Sequence, residues 1–146
     1  MNHPPQLKLL MTPFPYSIDI GADVNGALEL MEEHAVRHLP VTDSHRLVGV
    51  ITDRDIKTIR AGKKPGDTGY NPGVREMYIH DAYVVDINEP LDNILLNMAE
   101  RHIGSVLVTR KGNLAGVFTT TDACRGFGEY LRERFPRGEG GGGEAA

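Results

Sequence analysis

The chain has 146 residues, of which 40% are hydrophobic and 25% charged, with a formal net charge of −4. This is ordinary globular composition, with enough chain for one compact domain and a sizeable core. The acidic balance argues against a general nucleic-acid binder. The single cysteine, Cys124, excludes an intramolecular disulfide. No apolar run approaches a membrane span, and the start Met1-Asn2-His3-Pro4-Pro5 lacks the basic and apolar regions of a signal peptide. A cytoplasmic protein with no membrane or nucleic-acid partner is expected.

In chain order, residues 1–6 read as a disordered lead-in, and Leu7, Leu9, Leu10 and Met11 begin the ordered part. Prolines 13 and 15 keep the next residues extended or turning. Tyr16 to Ile20 reads as a short strand. A helix opens at Ala22 or Asp23, with Val24, Ala27, Leu28 and Met31 spaced as one apolar stripe. Leu39 to Thr42 and Leu47 to Ile51 form an antiparallel hairpin around Asp43-Ser44-His45-Arg46. A second helix runs from Asp53 towards Ala61, with Gly62 as a C′ residue. Residues 63–73 have the Gly/Pro density of a linker.

The order then recurs. Tyr83 to Ile87 is a strand, and Asn88 caps a helix with Pro90 in its first turn. Leu91, Ile94, Leu95 and Met98 repeat the apolar stripe. Val106 to Thr109 and Leu114 to Phe118 make a second hairpin around Lys111-Gly112-Asn113. The last helix starts after Thr119 and runs towards Phe135, weakened by Gly126 and Gly128. Residues 136–146 are a Gly-rich, disordered tail. With no gap, residues 16–55 match 83–122 at 13 of 40 positions, where unrelated sequences give roughly two or three. The fold expected is α/β (α+β): two β-α-β-β-α repeats, 7–62 and 74–135, packed through their sheets, because neither half has enough apolar surface alone.

The best-kept stretch is Gly49-Val50-Ile51-Thr52-Asp53-Arg54-Asp55, written again as Gly116-Val117-Phe118-Thr119-Thr120-Thr121-Asp122. Each copy ends a strand and opens a helix. Thr52 and Thr119 suit an N-cap, and Asp55 and Asp122, three residues on, suit the return bond of a capping box. One reading is a pair of well-capped helices. The other is a pair of turns that face a ligand, where a helix N-terminus, a hydroxyl and a carboxylate hold a sugar diol near phosphates.

These residues resemble the CBS domain, named after cystathionine β-synthase. The resemblance rests on Met11-Thr12-Pro13, on Arg37-His38-Leu39-Pro40-Val41 and on Gly-x-x-Thr-x-x-Asp in both halves. It covers about residues 9–131, and the whole is similar to small stand-alone CBS-pair proteins, including the acetoin-utilisation type. The resemblance implies a pseudo-two-fold CBS pair acting as a ligand-sensing regulatory module, not an enzyme, with AMP, ADP or ATP as ligand. Other ligands of the family are S-adenosylmethionine and NAD. It implies two clefts between the halves, with Asp55 and Asp122 on the ribose and Thr52 and Thr119 beside them. Arg37 and His38 match the family's phosphate-contacting pair; Arg54, Thr121 and Ser105 hold the matching or adjoining positions. Base contacts fall to Tyr16, Ile18, Pro40, Tyr83 and Val85. It also implies a homodimer through the helices after Thr52 and Thr119, and an effector protein that the sequence does not identify. No cofactor is required.

The two clefts are expected to differ. At the offset of 67, Arg37-His38 becomes Gly104-Ser105, Arg54 becomes Thr121 and Pro40 becomes Leu107. If each pocket is composite, Asp122 joins Arg37 and His38, and that cleft holds phosphorylated ligands more tightly.

Other residues admit competing readings. His34 and His38 are four apart, a spacing that can hold a metal, but no third ligand is near in sequence; a solvated His34 is favoured, and no metal site is assigned. Cys124 in a first turn can be activated, but a packed small residue is favoured. Asp53 and Asp55 either match the helix dipole or hold Mg²⁺ through a nucleotide's phosphates. Lys63-Lys64 reads as a solvated pair. The competing class is a structural dimerisation module with empty clefts.

Overall fold

The computed structural model describes residues 4–62, 64 and 66–138. The expected disorder at 1–3 and 139–146, and Lys63 of the lysine pair, lie outside the described residues.

Each half is built alike. In the first, β2 (Ile18–Asp19) runs parallel to β3 (His38–Asp43), which pairs antiparallel with β4 (Arg46–Thr52). Helix α2 (Val24–Glu33) links β2 to β3, and α3 (Asp53–Ala61) follows β4. In the second, β5 (Val84–Asp86), α4 (Leu91–Arg101), β6 (Ser105–Arg110), β7 (Asn113–Thr119) and α5 (Thr120–Arg134) repeat the scheme. Even the irregularity recurs, with register shifts between Val41 and Thr42 and between Val108 and Thr109. Both hairpins turn on paired left-handed residues, Ser44-His45 and Lys111-Gly112, the geometry that matches strand twist.

The apolar stripes face two cores. Val24, Ala27 and Met31 pack with Leu39, Val41, Ile51 and Ile56. Ile94 and Met98 pack with Val85, Val106, Val108 and Phe118. A third cluster of Val50, Leu107 and Val117 joins the two sheets, so the halves do pack sheet to sheet.

The segments that lead into each half are exchanged. Helix α1 (Leu7–Leu10) and strand β1 (Thr12–Pro13) belong in sequence to the first half, yet β1 pairs with β7 and Leu7 is buried in the second core. Reciprocally, Val74 and Met77 around the 3₁₀ turn Val74–Glu76 are buried in the first core, and Ile79 bridges Val50. Fully burying a side chain such as Leu7 or Val74 contributes about 1.5–3 kcal/mol. This exchange explains the glycine of the repeated motif. A Cβ on Gly49 would collide with the carbonyl oxygen of Ile79, and one on Gly116 would sit 2.9 Å from that of Thr12.

Several local expectations are corrected. Leu7–Leu10 is helical, and β2 and β5 are shorter than Tyr16–Ile20 and Tyr83–Ile87. Asn88 caps nothing: Pro90 is the N-cap of α4, and the Asn88 N–H turns back to Asp86 Oδ2 at 2.9 Å. Gly62 ends α3 in the right-handed region (φ −83°), not the left-handed one. Gly126, a weak residue in α5 by propensity, is needed there, since a Cβ would lie 2.9 Å from Leu10 Cδ1. Cys124 is exposed, not packed, because it lies on the outer side of α5.

Candidate functional site

The end of β7 and the start of α5 carry a closed cluster of polar side chains. Thr119 Oγ1 accepts the Asp122 N–H at 3.3 Å, and Asp122 Oδ2 accepts the Thr119 N–H at 2.9 Å, a complete capping box. The Thr119 hydroxyl lies 3.1 Å from the same Oδ2. Asp122 Oδ1 accepts from Arg125 Nη2 at 2.9 Å, one turn along the helix. Asp122 is 7% exposed, the one buried charged side chain among the described residues. Its charge is held there because the helix N-terminus, Thr119 and Arg125 all stabilise it.

The other copy is different. Thr52 Oγ1 accepts the Asp55 N–H at 3.1 Å, but the Asp55 carboxylate makes no return bond, so the box expected there is half-formed. Asp55 is only partly buried, and Thr58 stands where Arg125 stands in the second half. No local cation holds the Asp55 carboxylate over its cap. The neighbouring Asp53 pairs with exposed Lys57 at 3.6 Å.

Beside Asp122 is an open cavity of about 740 Å³. It is lined by the exchanged lead-in from Thr12 to Tyr16, by residues 34–38, and by Val117 and Thr119–Asp122 with Arg125. Of the sequence-predicted residues, it brings together Tyr16, Arg37, His38, Thr119, Thr121 and Asp122, which come from both halves. His38 is held neutral-leaning: burial lowers its pKa, and Arg37 adds to this, against the opposing pull of Asp53, Asp55 and Asp122. His34, expected to be solvated, instead stacks its ring on Tyr16 with centroids 3.5 Å apart. At the equivalent positions Arg101 lies over Tyr83, 4.9 Å from its centroid.

The remaining predicted residues are elsewhere. Thr52, Arg54, Asp55 and Ser105 do not line this cavity, nor does Tyr83. Ile18 and Val85, expected near the base, have their side chains in the two cores and do not line this cavity. Pro40 is buried in β3 outside the cavity. A second open cavity, about 700 Å³, lies near the hairpin turns by Arg46, His80 and Asn113 and includes none of the predicted site. Among the lining residues not predicted as site residues are Arg125 and Phe14. Arg125 was within reach of sequence reasoning, since a cation three residues after Asp122 shares its helix face.

The CBS domain model matches twice, over residues 7–62 and 74–129. The chain belongs to the CBS-domain family. As a tandem CBS pair it is 26% identical over 125 residues to the L-aspartate semialdehyde sulfurtransferase of Methanocaldococcus jannaschii, covering 84% of this chain and 23% of that protein. It thus spans about a quarter of that relative's length. Among solved structures it resembles the CBS domain pair of protein MJ0100, in complex with 5′-methylthioadenosine and S-adenosyl-L-methionine. The TM-score is 0.75 at 25% identity, over 84% of this chain and 99% of that one. A protein of Vibrio cholerae assigned to acetoin utilization (AcuB) superposes with a TM-score of 0.72 at 23% identity, over 91% of this chain and 98% of that one. No helix among the described residues is long and apolar enough to cross a membrane.

Proposed function

We propose that this CBS pair is a ligand-sensing regulatory module, not an enzyme, and that it binds an adenosine nucleotide (AMP, ADP or ATP) in the cavity beside Asp122. The observation that carries the reading is the charge balance of that cavity. Two arginines, Arg37 and Arg125, line it with one carboxylate, Asp122, which Arg125 already pairs, and His38, which also feels Asp53 and Asp55, leans neutral until an anion arrives. Such a lining favours phosphates. It disfavours the sulfonium of S-adenosylmethionine, although the MJ0100 pair holds that ligand.

In this reading the ribose hydroxyls bind Asp122 Oδ1, with Thr119 beside them. The ribose displaces Arg125, whose side chain is half exposed and free to turn. Arg125 then joins Arg37, His38 and Thr121 on the phosphate. Tyr16 lies on the base side. Thr52, Asp55, Arg54, Ser105 and Tyr83 form the weaker counterpart, with no arginine paired to Asp55. Mg²⁺ enters only with ADP or ATP, through their phosphates. The exposed apolar side chains Phe127, Tyr130 and Leu131 on α5, and Ile59 on α3, support a homodimer through these helices, with an effector protein reading the liganded state.

Thermal unfolding with AMP, ADP, ATP, NAD and S-adenosylmethionine tests this. A ligand at one hundred times its Kd stabilises by about 2.7 kcal/mol, which raises Tm by roughly 5–10 °C in a chain of this size. The expected result is a shift with an adenine nucleotide that Asp122→Asn abolishes. No shift with any of them would leave a structural dimerisation module.

A further inference from the structure

We infer that Phe14 is the platform on which the aromatic base of the ligand stacks, at the mouth of the Asp122 cavity. The inference rests on the adenosine reading above and adds the group that recognises the base. Phe14 lines the cavity, yet 93% of it is exposed to solvent. Its φ is 49°, a region that bulky side chains rarely occupy. Strain of this kind persists only where the surroundings fix it. Here they do: Pro13 and Pro15 flank the residue, and its N–H donates to the Ala115 carbonyl at 3.2 Å.

The backbone is therefore pinned, while the ring stacks on no other aromatic among the described residues. Tyr16, the other aromatic of this lead-in, is 52% exposed with one face on His34, so Phe14 is the more open of the two aromatics. The equivalent residue of the second half, at the offset of 67, is Asp81, so the feature belongs to one cleft. An aromatic face accepts any planar base. Discrimination among bases should therefore be slight, and recognition of a base against none should be large.

Two variants test this. By calorimetry, Phe14→Ala is expected to weaken AMP roughly ten-fold, while its Tm without ligand stays that of the wild type, since the side chain is exposed. The chain contains no tryptophan, so Phe14→Trp installs a single reporter, and saturating AMP is expected to quench its emission by stacking. AMP binding to the wild type with no loss in Phe14→Ala, or binding to Phe14→Trp with unchanged emission, overturns the inference alone. Failure of the wild type to bind AMP overturns the adenosine reading, and the inference with it.

Discussion

The two copies of the motif make a controlled comparison, because Asp122 and Asp55 hold the same helix position with different partners. Asp122→Ala removes the return bond of a complete capping box and the partner of Arg125. It leaves the Thr119 N–H without its acceptor, at about 1–3 kcal/mol for a group cut off from water. The open cavity lets water in and favours the middle of that range. The Arg125 pair is half exposed on the arginine side, so it adds only about 0–1 kcal/mol. A loss of about 2–3 kcal/mol follows. Asp55→Ala breaks no side-chain hydrogen bond and forfeits only the dipole interaction, about 0.3–1 kcal/mol. Urea unfolding of the two variants, with common m-values, should separate them by about 2 kcal/mol. Equal losses, or a larger loss for Asp55→Ala, would refute the claim that the two turns are built differently.

The exchanged lead-ins predict that Gly49→Ala and Gly116→Ala each cost more than about 1–3 kcal/mol, as a backbone carbonyl cannot swing away as a side chain can; ordinary surface-like losses in thermal melts would contradict the exchange. The pKa of His38 is lowered in the fold, mainly by burial. Its contribution to stability is therefore full above the unfolded value of about 6.5 and is lost as pH falls towards the depressed one. His38→Gln should flatten stability between pH 7 and 5, and an unchanged slope would count against the buried, neutral ring. An anionic ligand should raise that pKa, so AMP binding near pH 6 should take up a proton. Calorimetry in buffers of different ionisation enthalpy would reveal it, and no uptake would remove His38 from the phosphate.

The duplication, the two hairpins and the helices after Thr52 and Thr119 were legible because each rests on periodicity or turn chemistry that local sequence dictates. The exchange of lead-ins was not. A four-residue helix and a two-residue strand carry no period, and nothing local tells Leu7 that its core lies with Phe118. The role of Gly49 and Gly116 follows from that exchange and was hidden with it. Pairing Asp122 with Arg37 and His38 across the halves followed from the family resemblance, which implies composite clefts, and the three line one cavity. The unequal caps were less legible, because Asp55 and Asp122 look alike until Arg125 and Thr58 are compared. Ile18 and Val85 were assigned to a ligand by family resemblance, whereas alternation alone places them in the cores.

The central claim is that the Asp122 cavity selects an adenosine compound by its phosphate. Calorimetric titration of the wild type with AMP and with adenosine, at fixed ionic strength, tests it most directly. AMP should bind at least ten-fold more tightly, and Arg37→Ala should erase most of that margin. Equal affinity for AMP and adenosine, or a margin that survives Arg37→Ala, would contradict the account.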